Sequence, residues 1–510
     1  MRKFVRSNIS FIALVVVLVV AVYINGINGE MVTADDIPSI VQNPTIRDFG
    51  DSLKTMSLIH IANALFYQLF EFNPIPHHAL SLILHTVNVF LVFVFITKLF
   101  DKKVGLATSL LFAVHPVNSE AVLWISAKAY MFTTLATLLT LINFVNFRKI
   151  KDKKYLYYAL GIYGAFILFT QSPWMLVVPA IVGAVDYFLL DTRIKVKELA
   201  VYIPFVVLTG IYWLARLSTH VSVRVTNLLV MENPTPLLNR LPYTTYMALR
   251  LLIFPNRLTI YHEGEIFSPL ENFLMPLVTI CLIVAVIALW KKGKKIYVGL
   301  LSLIYIGILP SFAPVIIAWM IAERYLYLPS IFFLSLVCLI IVGLEKKYKN
   351  ENLLKYVVIV LLVVYSTRTF VRTFDWKTNK ALWHSTEKIT PYSHRTYNNL
   401  GDVYSTEGNY AKAIEYFAKS VQVRPTYAEA VHNIGYTYMQ MGDLENAKKY
   451  LQKTYEMNPN LWHAYHKLGL IAYMEGDIEL ARGYFEKALE VAPNAPEVHR
   501  SLNALDQQPQ

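Results

Sequence analysis

Two adjacent carboxylates, Asp35 and Asp36, stand in the stretch NGEMVTADDIPSIVQNPTIRDF, which directly follows an unbroken apolar run. A carboxylate within hydrogen-bond reach of a hydroxyl group can accept its proton, which makes the oxygen a better nucleophile. A structural interpretation is also open, because ADDIPSI offers a capping carboxylate before a proline in the first turn of a helix. The pair is a candidate for proton transfer if other reactive groups reach the same place.

Arginine is the second candidate group. Its planar fork of donors suits bidentate contact with phosphate, whereas lysine supplies a compact point charge. Between the acid pair and residue 324, the segments that the topology below places on the same side contain two lysines, Lys54 and Lys128, and seven arginines: Arg47, Arg216, Arg224, Arg240, Arg250, Arg257 and Arg324. These arginines predict a phosphate-bearing ligand, although each could instead extend to lipid headgroups or pair with an acid.

The composition indicates a membrane protein. Of 510 residues, 55% are hydrophobic and 16% charged, and the mean hydropathy of +0.42 is too high for a soluble chain of this length. The formal net charge of +12 comes from lysine clusters between apolar runs, a feature of membrane topology that argues against nucleic-acid binding. Cys281 and Cys338 lie in apolar segments, so neither a disulfide framework nor a thiolate metal site is expected.

Eleven apolar stretches are candidate membrane spans, each of which needs roughly 20 residues. They cover residues 8–27, 77–99, 104–117, 120–147, 155–171, 173–190, 199–217, 272–290, 296–313, 327–344 and 355–371. The first is longer than the apolar core of a signal peptide and has no A-x-A-like cleavage site after it, so we interpret it as a retained span. Two more apolar stretches, 55–72 and 241–254, are predicted to lie in the membrane interface.

Basic clusters give these spans an orientation. All six fall on one side: the N-terminus, Lys98 with Lys102 and Lys103, and residues 148–154, 193–197, 291–295 and 345–349. The positive-inside rule makes that side cytoplasmic. The acid pair, the segment 218–271 and everything after about residue 372 then face outward.

The C-terminal part contains a repeat of 34 residues. Glycine recurs at 401, 435 and 469, alanine at 413, 447 and 481, and proline at 425, 459 and 493. This spacing is the signature of tetratricopeptide (TPR) repeats, in which small residues lie where two helices touch. We divide the chain into a membrane domain, 1–372, and a TPR domain, 373–510, with a degenerate repeat to 391, full repeats 394–427, 428–461 and 462–495, and a capping helix 496–507. The array is expected to bind a peptide or protein, or alternatively to brace the membrane domain's own loops.

Four stretches carry a resemblance to a known class: ADDIPSIVQNPTIRDF at 34–49, FAVHPVNSEAVLWISAKAYM at 112–131, FPNRLTIYHE at 254–263 and IAERYLYLPS at 321–330, followed by the repeats. In this order they resemble the GT-C class of lipid-linked glycosyltransferases. The likeness is closer to the transmembrane and TPR repeat-containing O-mannosyltransferases and their prokaryotic relatives. The resemblance implies an all-α fold of about eleven spans followed by a TPR solenoid.

The resemblance also implies roles for individual residues. Asp35 or Asp36 would be the catalytic base. Positive charge near the leaving phosphate would come first from Arg324, with Arg257 and Lys128 next. Substrate-binding candidates are His115, Glu120, Glu323 and His262, of which Glu323 could instead orient Arg324 and His115 could simply bind backbone in a proline-broken turn.

One stretch departs from the family pattern. Where the family often reads ISGRAD, this chain reads ISAKAY, with Lys128 in place of the arginine and Tyr130 in place of the acid. Lysine keeps the charge but loses the bidentate fork, so the sugar stays open. His262 and Glu263 are adjacent, which is poor metal-ligand spacing, and no metal site is predicted.

The expected function is inverting transfer of a sugar, mannose by resemblance, from a polyprenyl-phosphate donor to Ser or Thr of a protein acceptor on the outer face. The alternatives are an O-oligosaccharide ligase or polymerase, and a non-enzymatic membrane scaffold in which only the repeats act. The scarcity of N-x-S/T sequons in the outer segments favours a prokaryotic plasma membrane over the endoplasmic reticulum, where the site would be luminal.

Overall fold

The structure is a computed structural model that describes residues 9–170, 172–192, 196–216, 237–312 and 319–507. Regular structure in these ranges is helical, without a strand, which confirms the all-α prediction. The chain forms two compact units, one of Met1–Ile260 with Phe267–Ala381 and one of Tyr261–Ile266 with Leu382–Gln510. Among the predicted outer arginines, Arg224 lies outside the described residues.

The first unit contains the long apolar helices. Within the described ranges, those long and apolar enough to cross a membrane are Ile9–Gly26, Pro74–Leu99, Ile125–Ile150, Pro269–Lys291, Lys295–Phe312, Glu323–Tyr348 and Leu353–Asp375. The helices Lys102–Val114 and Pro116–Leu123 meet at an angle of 53° and form either one broken span or a re-entrant loop. The chain is therefore a multi-pass membrane protein.

Shorter helices account for the other apolar stretches of this unit. The three remaining predicted spans coincide with Lys153–Thr170, Pro173–Leu189 and Ile203–Arg216. The two stretches predicted to lie in the interface form Leu58–Phe70 and Leu237–Ile253. The loop that follows the first span folds into short helical turns, Ile37–Val41, Pro44–Arg47 and Phe49–Lys54.

Local sequence signals set the helix ends. The Asp101 carboxylate accepts a hydrogen bond from the Val104 N–H at 2.8 Å and so caps the helix Lys102–Val114. That helix ends just before His115 and Pro116, because proline lacks an N–H and clashes with the preceding turn. The chain then re-forms a short helix, Ser119–Leu123, which places Glu120 and Trp124 at the bend.

The second unit is the repeat array. Its helices after Asn379–Ile389 are His394–Thr406, Tyr410–Val423, Ala428–Gln440, Leu444–Met457, Trp462–Met474, Ile478–Val491 and Pro496–Asp506. A Cβ on Gly401 would lie 2.4 Å from the ring of Phe417, and one on Gly469 would lie 2.5 Å from that of Phe485. Glycine is thus required where the paired helices touch, which explains its recurrence every 34 residues.

The short segment Tyr261–Ile266 belongs to this second unit although it lies between two helices of the first. The rings of Tyr261 and Trp383 are 5.5 Å apart. The carboxylate of Glu263 lies 3.3 Å from His394 Nδ1, and the Tyr392 N–H donates to the Gly264 carbonyl at 3.3 Å. This loop is therefore built into the start of the array.

Candidate active site

The two adjacent acids have different surroundings. Asp36 is fully buried, and its carboxylate accepts hydrogen bonds from the Val32 N–H at 2.9 Å, the Ser126 N–H at 2.8 Å and the Ser126 hydroxyl. Although Asp36 precedes the turn Ile37–Val41, its side chain makes no capping hydrogen bond to it. Asp36 instead fastens the first loop to the turn that precedes the helix Lys128–Ile150.

Burial raises the pKa of Asp36 to about 6, while its hydrogen bonds and the charge of Lys128 act in the opposite direction. Lys128 is also fully buried, and its Nζ lies 3.0 Å from His77 Nδ1 and 3.4 Å from the Asn63 side-chain oxygen. Lys128 does not line the cavity described next. Lys128 interacts electrostatically with Asp36 as a counter-charge, and its role in phosphate binding stays a prediction.

Asp35, by contrast, is exposed and lines a cavity of about 270 Å³. Arg324 lines the same cavity, so an acid and a guanidinium predicted from separate parts of the chain meet around one space. Hydroxyl groups come from Ser126, Thr170 and Ser172, and an aromatic wall comes from Trp124, Tyr130 and Trp174. The fold thereby brings together Asp35, a predicted base, and Arg324, the residue predicted first to bind the leaving phosphate.

Arg324 is held rigidly. Glu120, which is fully buried, accepts the Arg324 backbone N–H at 2.7 Å and forms an ion pair with its guanidinium. The guanidinium carbon lies 4.8 Å from the ring centroid of Trp124, 5.1 Å from that of Tyr325 and 6.0 Å from that of Tyr130. Cation–π contacts and a buried ion pair fix the side chain before a ligand arrives. Glu120 thus positions Arg324.

Glu323 supports the turn that carries Arg324. Its carboxylate accepts the Thr259 N–H and lies 3.8 Å from Arg372, which in turn pairs with Asp375 at 2.8 Å. Glu323 does not line the cavity. The structure pairs Glu323 with Thr259 and Arg372, and the orientation of Arg324 by Glu323 stays a prediction.

The other three predicted residues also lie away from the lining. His115 is buried, with Nε2 donating to the Leu252 carbonyl at 3.0 Å and Nδ1 accepting the Val117 N–H at 3.2 Å, so backbone groups occupy both nitrogens. Arg257 forms an ion pair with Glu271 at 3.2 Å. His262 is buried in the second unit, where its Nδ1 lies 3.5 Å from Glu265.

Sequence reasoning missed the hydroxyl and aromatic groups of the cavity. Ser126 and Tyr130 lie in the quoted stretch ISAKAYM, but their side chains carry no charge and drew no role. Trp174 follows Pro173 at the break between two apolar helices, and an aromatic residue at an outer break is a usable signal. Across the described ranges, no three His, Cys, Asp or Glu side chains are grouped closely enough to hold a metal ion.

Fold and site together define a class: a multi-pass helical membrane domain with an acid and an arginine at one cavity, joined to a TPR array. Residues 58–222 match the family model described as dolichyl-phosphate-mannose-protein mannosyltransferase, and residues 392–460 and 426–494 match a tetratricopeptide repeat model. The chain is thus similar to a mannosyltransferase model in its membrane part and to tetratricopeptide repeats in its C-terminal part, and the curated proteins that it matches are protein O-mannosyltransferases.

Two curated proteins are similar to this chain over most of its length. A protein O-mannosyl-transferase of Caenorhabditis elegans is 27% identical over 444 residues, which cover 80% of this chain and 62% of that protein. Protein O-mannosyl-transferase TMTC3 of Homo sapiens is 23% identical over 82% of this chain and 52% of its own length. The chain thus spans about half to three-fifths of the length of these relatives.

Among solved structures, the first TPR of Spaghetti (RPAP3), bound to the HSP90 peptide SRMEEVD, is 22% identical, covers 22% of this chain and 91% of that chain, and has a TM-score of 0.22.

Proposed function

We propose that this chain transfers one sugar, mannose by kinship, from a polyprenyl-phosphate donor to a Ser or Thr hydroxyl of a protein on the outer face of the membrane. The observation that carries the proposal is the presence of Asp35 and Arg324 around one cavity. The cavity volume of about 270 Å³ lies just below the usual range of ligand pockets, roughly 300–1,000 Å³, and this favours a single sugar over a preassembled chain.

The chemistry is a single displacement. The acceptor oxygen attacks the anomeric carbon while the Asp35 carboxylate takes the hydroxyl proton. The bond between that carbon and the phosphate oxygen breaks, and polyprenyl phosphate leaves with the bonding electron pair. Arg324, fixed by Glu120, stabilises the charge that develops on the leaving phosphate. Attack opposite the leaving group inverts the anomeric configuration.

Contacts within the first unit support the proposed sidedness. Lys103 pairs with Glu345 at 2.7 Å, and Lys98 donates to Asn146 at 2.8 Å, so the predicted cytoplasmic helix ends meet one another. The ends that carry Asp36 and Ser126 meet separately. Lysine clusters mark the first set of ends as cytoplasmic, so the cavity would open on the outer face.

The second unit supports a protein acceptor or partner, because TPR arrays use the inner helices of stacked repeats to bind peptides. We assign the repeats to recognition of the acceptor protein or of a protein that delivers it.

A complementation experiment tests the proposal. Surface proteins are compared by mass spectrometry in cells that lack the gene and express the wild type, Asp35→Asn or Asp35→Ala, with membrane levels of each variant measured. Wild type is expected to restore a single hexose on Ser or Thr, and both variants are expected to restore none at equal membrane levels. Normal hexose addition by Asp35→Asn would refute the assignment of the base, and addition of a preassembled oligosaccharide would refute the donor class.

A further inference from the structure

The cavity has an aromatic wall that the transfer chemistry does not use. Trp124, Tyr130 and Trp174 line it beside Arg324. The ring centroids of Tyr130 and Trp174 are 4.9 Å apart with their planes at 66°, and Trp174 lies 4.6 Å from Tyr325. Trp124 and Tyr130 are close in sequence, whereas Trp174 and Tyr325 are far from them and from each other. The fold therefore brings these aromatic residues together.

Packing alone does not explain Tyr130. Trp174 and Tyr325 are buried, at 5% and 2% exposure, and together with Ala322 they form a small hydrophobic cluster. Tyr130 packs against that cluster but stays partly exposed and faces the cavity. It lies in the first turn of the helix Lys128–Ile150, next to Arg324, whose guanidinium also interacts with its hydroxyl. The exposed part of the Tyr130 side chain can therefore contact the part of a ligand that lies next to its phosphate at Arg324.

We infer that the ring of Tyr130, backed by the buried Trp174, forms the binding surface for the sugar ring of the donor, adjacent to the phosphate position at Arg324. One face of a pyranose carries mainly C–H groups, which an aromatic ring covers favourably, while the ring hydroxyls bind polar groups at the edge. Ser126 and Tyr130, which both carry a hydroxyl group, line the cavity. The inference rests on the proposed function. It adds that the aromatic residues contact the sugar of the donor and that Arg324 contacts its phosphate.

The arrangement also assigns a role to the departure from the family pattern. An acid at position 130 would offer charge to sugar hydroxyls, whereas tyrosine offers a ring and a neutral hydroxyl. Tyr130 is thus a specificity-determining residue, and it selects for a sugar with a continuous apolar face. Binding that depends on the ring should be lost with the ring and kept by phenylalanine.

Direct binding to the purified full chain in detergent separates the two parts of the donor. The probes are mannosyl-phosphoryl polyprenol and the same polyprenyl phosphate without the sugar, each titrated and followed by microscale thermophoresis. For the wild type, we expect the sugar-bearing lipid to bind about tenfold tighter, which corresponds to one good aromatic contact surface. Tyr130→Ala and Trp174→Ala are expected to abolish this preference, so that the two lipids bind with affinities within about twofold of each other.

Two further variants control the measurement. Tyr130→Phe keeps the ring and is expected to keep the preference for the sugar-bearing lipid. Tyr356→Ala removes a tyrosine that is 58% exposed on another helix and is expected to change neither affinity. If Tyr130→Ala weakens both lipids equally, or neither, the inference is wrong even though wild-type transfer stands. Wild-type protein that binds neither lipid would overturn the donor class itself, and the inference with it.

Discussion

The adjacent residues Asp35 and Asp36 have the same side chain but different surroundings at this site. Asp36 is buried with three hydrogen-bond donors around its carboxylate, whereas Asp35 is exposed beside Arg324. Of the two acids, Asp35 is the one that lines the cavity, where a carboxylate could accept the proton of an entering hydroxyl group. At the scale of single residues, the proposed mechanism therefore assigns a structural role to Asp36 and the role of the base to Asp35.

This division predicts opposite outcomes for two alanine substitutions. Asp36→Ala leaves three donors without an acceptor and Lys128 without its counter-charge, and it should lower the free energy of unfolding by about 3–5 kcal/mol. Asp35→Ala, an exposed position, should change it by less than about 0.5 kcal/mol while transfer is lost. Thermal unfolding of both variants in the same detergent measures the difference. Equal melting temperatures for the two variants would contradict the assignment.

Charge explains which residue roles could be predicted from sequence. Asp35 and Arg324 were predicted as reactive groups, and they line one cavity. Lys128, Glu323 and His115 have the same chemical types, but each is already engaged, by His77, Thr259 and Leu252 respectively. A sequence shows which groups are present but not which of them the fold places at the cavity, and Arg324 lines the cavity although it is paired with Glu120.

At the scale of helices, prediction succeeded where the signal is periodic or local. The 34-residue repeat gave the paired helices of the array, and Asp101 with Pro116 marks the two ends of one apolar helix. The placement of Tyr261–Ile266 in the second unit was not predictable, because its partners, His394 and Trp383, are more than a hundred residues away in sequence. Long-range pairing of this kind leaves no period in the sequence.

One element prediction concerns Asn379, the first residue of the helix Asn379–Ile389. Its side-chain oxygen accepts the Thr33 N–H at 2.8 Å and its side-chain nitrogen donates to the Met31 carbonyl at 2.8 Å, while Glu30 accepts its backbone N–H at 2.9 Å. These three hydrogen bonds hold the backbone a few residues before Asp35. Asn379 is therefore expected to act as a positioning residue for the base.

Asn379→Ala should lower kcat about tenfold or more and leave KM for the donor nearly unchanged, because a base displaced by a fraction of an ångström fails in the transition state while the donor walls stay intact. Lys377→Ala is the matched control, since Lys377 is exposed and contributes its backbone carbonyl to the Glu30 N–H. Steady-state kinetics of both variants decide the matter. An equal rise in KM with unchanged kcat would show that Asn379 acts on donor binding instead.

At the scale of the whole molecule, the proposal requires the first loop and the repeats to share one side of the membrane. Six lysine-rich clusters on the opposite helix ends predict this arrangement, because translocating such clusters is unfavourable. Within the first unit, Lys103 contacts Glu345 among the helix ends that carry lysine clusters. Asp36 contacts Ser126 among the opposite helix ends. The repeats follow the candidate span Leu353–Asp375 in the sequence, so the proposed arrangement requires that span to cross the membrane once.

Cysteine labelling in sealed spheroplasts tests the arrangement in a background where Cys281 and Cys338 are serine. The exposed residues Asp51, in the first loop, and Glu479, in the last repeat, are each replaced by cysteine, and Lys292, in a basic cluster, is replaced in the same way. An impermeant maleimide is expected to label Asp51→Cys and Glu479→Cys directly and Lys292→Cys only after lysis. Labelling of the first two from opposite sides would separate acceptor recognition from the acid it must serve, because a peptide held by the repeats could not then present its hydroxyl to Asp35 across the hydrocarbon layer.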